Sequence, residues 1–319
     1  MGAVLPPLYG AGVAEQILTD FEQAAIPPLH KAMFRWVKRF TQNSWQMGSE
    51  DIDELRRQGV SDADICMWAQ IAALQGWWTM SADGGGIPLE GSAITGPVLQ
   101  KPRAFYEAAA EGLTAGMPND GASRVRHDGS LERDVCWITR DEASPAFREI
   151  ATWADARYGV VPSWLRAVSL RPEFYRRHRL ALELLEEPQS ESLTRRCHAL
   201  VRSLTATLNR SHMSKPTVEA LVTRVCGEAE GRAALAALTV GDGFADFPPA
   251  ERVALDFAAK LARNAYKVSE KDALSFHEVG LDDEAYIDVL NTVAIQTSID
   301  RLGNALGVAA DATPALPRA

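Results

Sequence analysis

The chain is poor in paired cysteines, in excess positive charge and in long apolar runs, and each shortage removes a class of protein. Its four cysteines, Cys66, Cys136, Cys197 and Cys226, stand far apart with no C-x-x-C pair. That spacing gives neither a zinc-ligand pattern nor a disulfide framework, so each is read as a small buried apolar residue. Lysine and arginine total 33 against 42 aspartate and glutamate, a net charge of -9. A nucleic-acid partner needs a basic face to neutralise phosphates, and none stands out. The one basic run, Arg171, Arg176, Arg177 and Arg179, is interleaved with Leu170, Phe174, Leu180 and Leu182, the pattern of a solvated helix face. No apolar stretch approaches the ~18 to 20 residues of a membrane span, and Met1 to Gly12 has no basic stretch ahead of its short apolar one. No nucleic acid, no membrane and a cytoplasmic location are therefore expected.

Strand-like alternation is scarce as well. Helical periodicity dominates: Leu200, Val201, Leu204 and Leu208 form one apolar stripe, and Val218, Leu221, Val222 and Val225 another. Helices are separated by stops such as Gly59-Val60-Ser61-Asp62 and Gly280-Leu281-Asp282-Asp283, where Ser and Asp suit a helix start. The expected fold class is all-α. At 319 residues with 46% hydrophobic side chains, the chain is long enough for two compact units.

The two stops lie 221 positions apart, from Gly59 to Gly280, and the surrounding sequence keeps that offset without a gap. Pro27-Pro28 falls on Pro248-Pro249, Asn43 on Asn264, Asp51 on Asp272, Asp62 on Asp283, Ala73 on Ala294 and Gln75 on Gln296. Trp36 falls on Phe257 and Phe40 on Leu261, so apolar phase is kept together with prolines, glycine and acidic caps, which points to an internal duplication. The expected organisation is a partial first repeat over 1–95, a linker with one helix near Pro102 to Gly112 over 96–136, a full second repeat over 137–312, and a tail over 313–319. Gly84-Gly85-Gly86 has no GKS or GKT ending and no preceding strand, so it is read as a breaker, not a phosphate loop.

The second repeat carries Gly159-Val160-Val161-Pro162-Ser163, then Leu170-Arg171-Pro172-Glu173, then Leu193-Thr194-Arg195-Arg196, and ends with Asp300-Arg301-Leu302 through Ala305-Leu306-Gly307-Val308. In that order these segments resemble the "G-F-V-P-N", "R-P-E", "L-S-R-R" and "N-R-L-A-D-A-L-G-V" pieces of the alkylhydroperoxidase D and carboxymuconolactone decarboxylase superfamily, in its peroxidase-related branch. The resemblance implies duplicated alkylhydroperoxidase D-like helical domains. Peroxidases of that family carry a glutamate, a C-x-x-C pair and a histidine four residues beyond it. Counting without gaps from Leu193, those positions here hold Ala199, Ser211, Ser214 and Val218. A serine hydroxyl cannot cycle through the oxidation states of a peroxidatic thiol, so loss of the whole relay points away from peroxidase chemistry. The first repeat resembles only the later part of the family domain, from about Val13 to Ile87, and has no counterpart of the cysteine-bearing helix.

Arg210, Ser211, His212, Ser214 and Lys215 stand just before Pro216, at the start of a helix running through Val225, a place suited to a carboxylate or other anion. The competing reading is Ser214 as a plain helix cap among solvated basic residues. Ser211 and His212 are adjacent and do not face one another, so they form no dyad; His212 acting alone would serve general acid-base work. His212, Ser211 and Ser214 are the candidate catalytic residues. Arg210, Lys215, Asp300, Arg301, Trp77 and Trp78 are the candidates for substrate contact, with Asp300 and Arg301 in structural salt bridges and one tryptophan at an interface as the alternatives. No metal and no cofactor are expected, and Cys197 has no nearby helical cation to make it reactive. The resemblance implies a homo-oligomeric, non-redox enzyme acting on a small anionic organic molecule by acid-base chemistry of a decarboxylase or lyase kind. An inactive binding or assembly subunit and a divergent oxidoreductase remain the alternatives.

Overall fold

The computed structural model describes residues 5–87, 135–239 and 244–318, and among them every regular element is a helix. The helix expected near Pro102 to Gly112, with most of the linker around it, lies outside the described residues. The chain begins with α1 (Leu5–Tyr9) and α2 (Ala11–Asp20), which close over a small core with Ala24 and Ile26. Next come α3 (Pro28–Asn43), a single 3-10 turn at Ser44–Gln46, α4 (Ser49–Arg57) and α5 (Asp62–Gly84). After the break follow α6 (Pro145–Tyr158), α7 (Ser163–Ala167), α8 (Glu173–Glu183), α9 (Arg195–Leu208), α10 (Lys215–Cys226) and α11 (Glu228–Thr239). The last group is α12 (Pro249–Asn264), a 3-10 turn at Ala265–Lys267, α13 (Glu270–Glu278) and α14 (Asp283–Leu306). No helix among the described residues is long and apolar enough to cross a membrane.

The element order of 28–87 recurs 221 positions later, down to local chemistry. Pro28 and Pro249 occupy the first helical position, where a missing N–H costs nothing. Asp51 accepts from the Gly48 amide at 2.8 Å and pairs with Arg39; Asp272 accepts from the Ser269 amide at 2.7 Å and pairs with Lys260. Val60 N–H donates to the Leu55 carbonyl at 3.1 Å, and Leu281 N–H to that of Phe276 at 3.0 Å. The long helices close with the same left-handed cap. Ile87 N–H reaches the Ala82 carbonyl at 2.9 Å with Gly86 at φ 62, and Val308 N–H reaches that of Gly303 at 2.8 Å with Gly307 at φ 64.

Helix α14 is buried on nearly all sides, with α5, α9 and α12 packed around it. Against α5 it runs antiparallel: Tyr286 Oη donates to the Gly84 carbonyl at 2.6 Å and Ser298 Oγ to the Ala73 carbonyl at 2.7 Å. One apolar core joins α3–α5 to residues 135–185 and the C-terminal end of α14, and the other gathers α9–α14 with Met80. Residues 135–139 lie beside the end of α14, where Trp137 N–H donates to the Leu306 carbonyl at 2.8 Å and Ala309 N–H to that of Val135 at 2.8 Å. Arg171, placed with the solvated basic run above, instead sits half-buried just before α8, while Arg176 and Arg179 are exposed.

Candidate active site

Between α9 and α10 the chain makes a left-handed turn at Arg210 (φ 51), the single non-glycine residue with positive φ among the described residues. The Ser211 amide donates back to the Ala206 carbonyl at 3.0 Å, closing α9 as glycine commonly does. This turn throws Arg210 outward over the Trp45 ring, 4.8 Å from its centre, and turns Ser211 inward. Ser211 is 1% exposed and its Oγ accepts from the Ser214 amide at 3.2 Å. Ser214 opens α10, yet its side chain caps nothing.

The hydroxyls of Ser214 and Ser211 go instead to Asp300, which is wholly buried in the middle of α14. Its carboxylate also accepts from Asn209 Nδ2 at 2.9 Å and from Gln296 Nε2 at 2.9 Å. Burial pushes the Asp300 carboxyl above the ordinary carboxylate range, and the hydrogen bonds from Ser214, Asn209, Gln296 and Ser211 oppose that rise. The network continues outward through Asn304, whose Nδ2 donates to the Asn209 carbonyl and to Ser44 Oγ, each at 3.2 Å.

A small cavity of about 70 Å³ adjoins this network. Ser214, Thr217, Gln296, Arg202, Tyr158, Glu186 and Asp311 supply its polar lining, and Trp164, Leu182, Val218 and Ile299 part of its apolar wall. Arg202 donates Nη1 to the Leu185 carbonyl at 2.7 Å and Nε to Gln296 Oε1 at 3.3 Å, so its Nη2 has no hydrogen-bond partner among the described residues. Burial lowers the pKa of this guanidinium, while Tyr158, Glu186 and Asp300 work to raise it; at neutral pH it stays a cation. Tyr158 Oη donates to Glu186 Oε1 at 2.6 Å, and burial followed by that carboxylate pushes the phenol pKa upward. The cavity thus offers a fixed cation for an acid group, beside a hydroxyl wired to a buried carboxylate that accepts a proton more readily than usual.

Of the residues singled out in the sequence, the fold brings Ser211, Ser214 and Asp300 together. Asp300 is held by amides and hydroxyls rather than by a salt bridge. His212 is exposed and does not line the cavity; Lys215 is exposed and sits 3.7 Å from Glu219. Arg301 is half-buried near Gly76, Trp77 is half-buried between the two cores, and Trp78 is 54% exposed. Sequence reasoning missed Arg202, Glu186, Tyr158, Asn209 and Gln296. All four cysteines are free. Burial pushes Cys66 and Cys197 up to about 12 and Cys136 up to about 11, which keeps them as thiols at neutral pH. Among the described residues no group of three or more His, Cys, Asp or Glu could hold a metal ion.

No protein-family model and no curated protein matches the chain. Among solved structures it is similar to an uncharacterized peroxidase-related protein from Silicibacter sp. TM1040, with 20% identity and a TM-score of 0.48, over 58% of this chain and 95% of that one. A likeness of that extent assigns neither activity nor residues to this chain.

Proposed function

We propose that the chain is a non-redox enzyme that moves a proton on a small organic acid, built on a duplicated alkylhydroperoxidase D-like scaffold. The observation that carries the chemistry is the Ser214–Asp300 contact at the edge of a cavity that also holds Arg202. Arg202 Nη2 takes the substrate carboxylate. A proton leaving the substrate passes to Ser214 Oγ as the hydroxyl proton of Ser214 moves to Asp300, and the reverse order returns it. Gln296 and Asn209 hold the Asp300 carboxylate in place. Serines in place of cysteines, together with thiols held protonated, support chemistry without electron transfer. Descent of 28–87 and 249–308 from one ancestral unit is supported by their common caps, ion pairs and turn geometry.

Deuterium uptake from D2O into short 2-oxo, 3-oxo and unsaturated carboxylates, followed by NMR, tests this reading. Wild type is expected to exchange at least one of them, with Asp300→Asn and Ser214→Ala losing exchange and Arg202→Gln raising KM. Since Asp300 must be ionised to accept a proton, the rate rises with pH through its elevated pKa; Asn209→Ala removes an opposing hydrogen bond and shifts that limb to higher pH. Saturable binding without exchange would favour the binding-subunit alternative, and neither binding nor exchange would sink both.

A further inference from the structure

A second cavity, of about 550 Å³, shares Glu186 with the first. Four arginines line it: Arg157, Arg195, Arg224 and Arg318. Its two carboxylates are already engaged, Glu186 by Arg157 and Tyr158, and Glu187 by Arg195 Nε at 2.6 Å. Arg224 gives Nη1 to the Pro317 carbonyl at 2.7 Å, and the Arg318 amide donates to the Arg157 carbonyl at 2.8 Å, which fixes the tail across the rim. Among the described residues neither the Arg224 nor the Arg318 guanidinium has an ion-pair partner. Among the described residues two positive charges are therefore left over in one cavity of a chain whose net charge is -9.

The arginines on the rim are exposed, whereas His198, which lines the same cavity from α9, is 2% exposed. Its ring donates to the Leu184 carbonyl, and Nε2 has no partner among the described residues. Burial, reinforced by Arg202, holds its pKa down to about 3, so the ring is neutral and Nε2 carries a lone pair. A buried acceptor without a donor is costly; Nε2 is itself closed to solvent, so a ligand hydroxyl reaches and satisfies it as the His198 ring shifts toward the cavity.

We propose that this cavity binds a small organic dianion bearing a hydroxyl group, of the phosphate-monoester or dicarboxylate class. The unpaired guanidiniums of Arg224 and Arg318 take the anionic groups, and His198 Nε2 accepts from the hydroxyl. The site is independent of proton transfer in the first cavity, because it does not use Ser214 or Asp300.

Isothermal titration with glycerol 3-phosphate and with malate, at constant ionic strength, separates the two classes. Methyl phosphate and succinate serve as controls lacking the hydroxyl. One of the hydroxylated probes is expected to bind with Kd of roughly 1 mM or tighter, and the double variant Arg224→Gln/Arg318→Gln to weaken it about tenfold or more. His198→Leu should abolish the preference for the hydroxylated probe over its control. Arg202→Gln should leave binding unchanged, which keeps this result separate from the fate of the first cavity. Absence of saturable heat with every probe, or binding lost in Arg202→Gln but kept in the double variant, would overturn the assignment. Both arginines are exposed, and circular dichroism of the double variant verifies that it folds.

Discussion

Helices α5 and α14 start from the same caps and end in the same left-handed turn, yet one is surfaced with solvent where the other is surfaced with protein. On α14 the face carrying Thr292, Gln296, Ile299 and Asp300 is buried, with α9 packed against the helix. The positions 221 earlier are Ile71, Gln75, Trp78 and Thr79; all are exposed, Ile71 at 52% and Trp78 at 54%. A polar group at the first location sits in a low-dielectric network, where its pKa moves and its partners are fixed; at the second it meets water. Repetition of a backbone therefore does not repeat a site, because the covering layer makes the site.

Substitutions at paired positions break or sharpen that comparison. The largest difference is expected at the helix caps. A Cβ on Gly307 would lie 2.0 Å from the Trp137 ring, while one on Gly86 meets nothing within 4 Å. Gly307→Ala should cost about 3 kcal/mol or more in urea denaturation, against about 1–2 for Gly86→Ala, which carries only the left-handed strain. Equal losses would mean that the 135–139 segment contributes nothing there. Next come Ile299 and Trp78. Ile299, 6% exposed, should lose about 2–4 kcal/mol as alanine, whereas Trp78→Ala should lose about 1 or less.

A smaller contrast is expected between Asp62 and Asp283, which open the two helices. Asp62 accepts from Arg56 Nε at 2.8 Å and from the Thr139 amide at 2.7 Å; among the described residues Asp283 holds only His277, in solvent. Asp62→Asn should cost about 1–2 kcal/mol and Asp283→Asn about 0.5 or less. Arg56 and Thr139 keep the Asp62 carboxyl below its usual range against the opposing effect of burial, so its contribution is present above the unfolded pKa near 3.8 and is lost as pH falls through the lower folded value.

The least effect at neutral pH is expected at His198. Folding holds it neutral down to about pH 3, whereas the unfolded chain protonates it near 6.5. The unfolded state binds the extra proton in that window, so stability falls as pH drops from 6.5 toward 3. Thermal melts of His198→Gln should show a flatter acid limb than wild type; an identical slope would place the acid sensitivity elsewhere.

The recurring caps and turns were legible because they are local: Pro28, Asp51, Gly59 and their partners announce themselves within a few residues. The site was only half legible. Ser211, Ser214 and Asp300 stood among the sequence candidates, but the inward turn of Ser211 and the outward placement of His212 depend on a left-handed arginine that no glycine signals. Arg202, Glu186 and Tyr158 come from three separate stretches of chain and share no motif. One signal could have been read: Gln296, Asp300 and Asn304 form a polar line at four-residue spacing along an otherwise apolar helix, which a buried helix tolerates only when partners answer it.

The antiparallel seam between α5 and α14 relates Ala73 to Ser298 and Gly84 to Tyr286, joining two like surfaces that belong to one polypeptide. Two separate chains meeting in this way would drift apart on dilution. Tethered, they stay associated at any concentration, so the seam needs no partner chain to hold it.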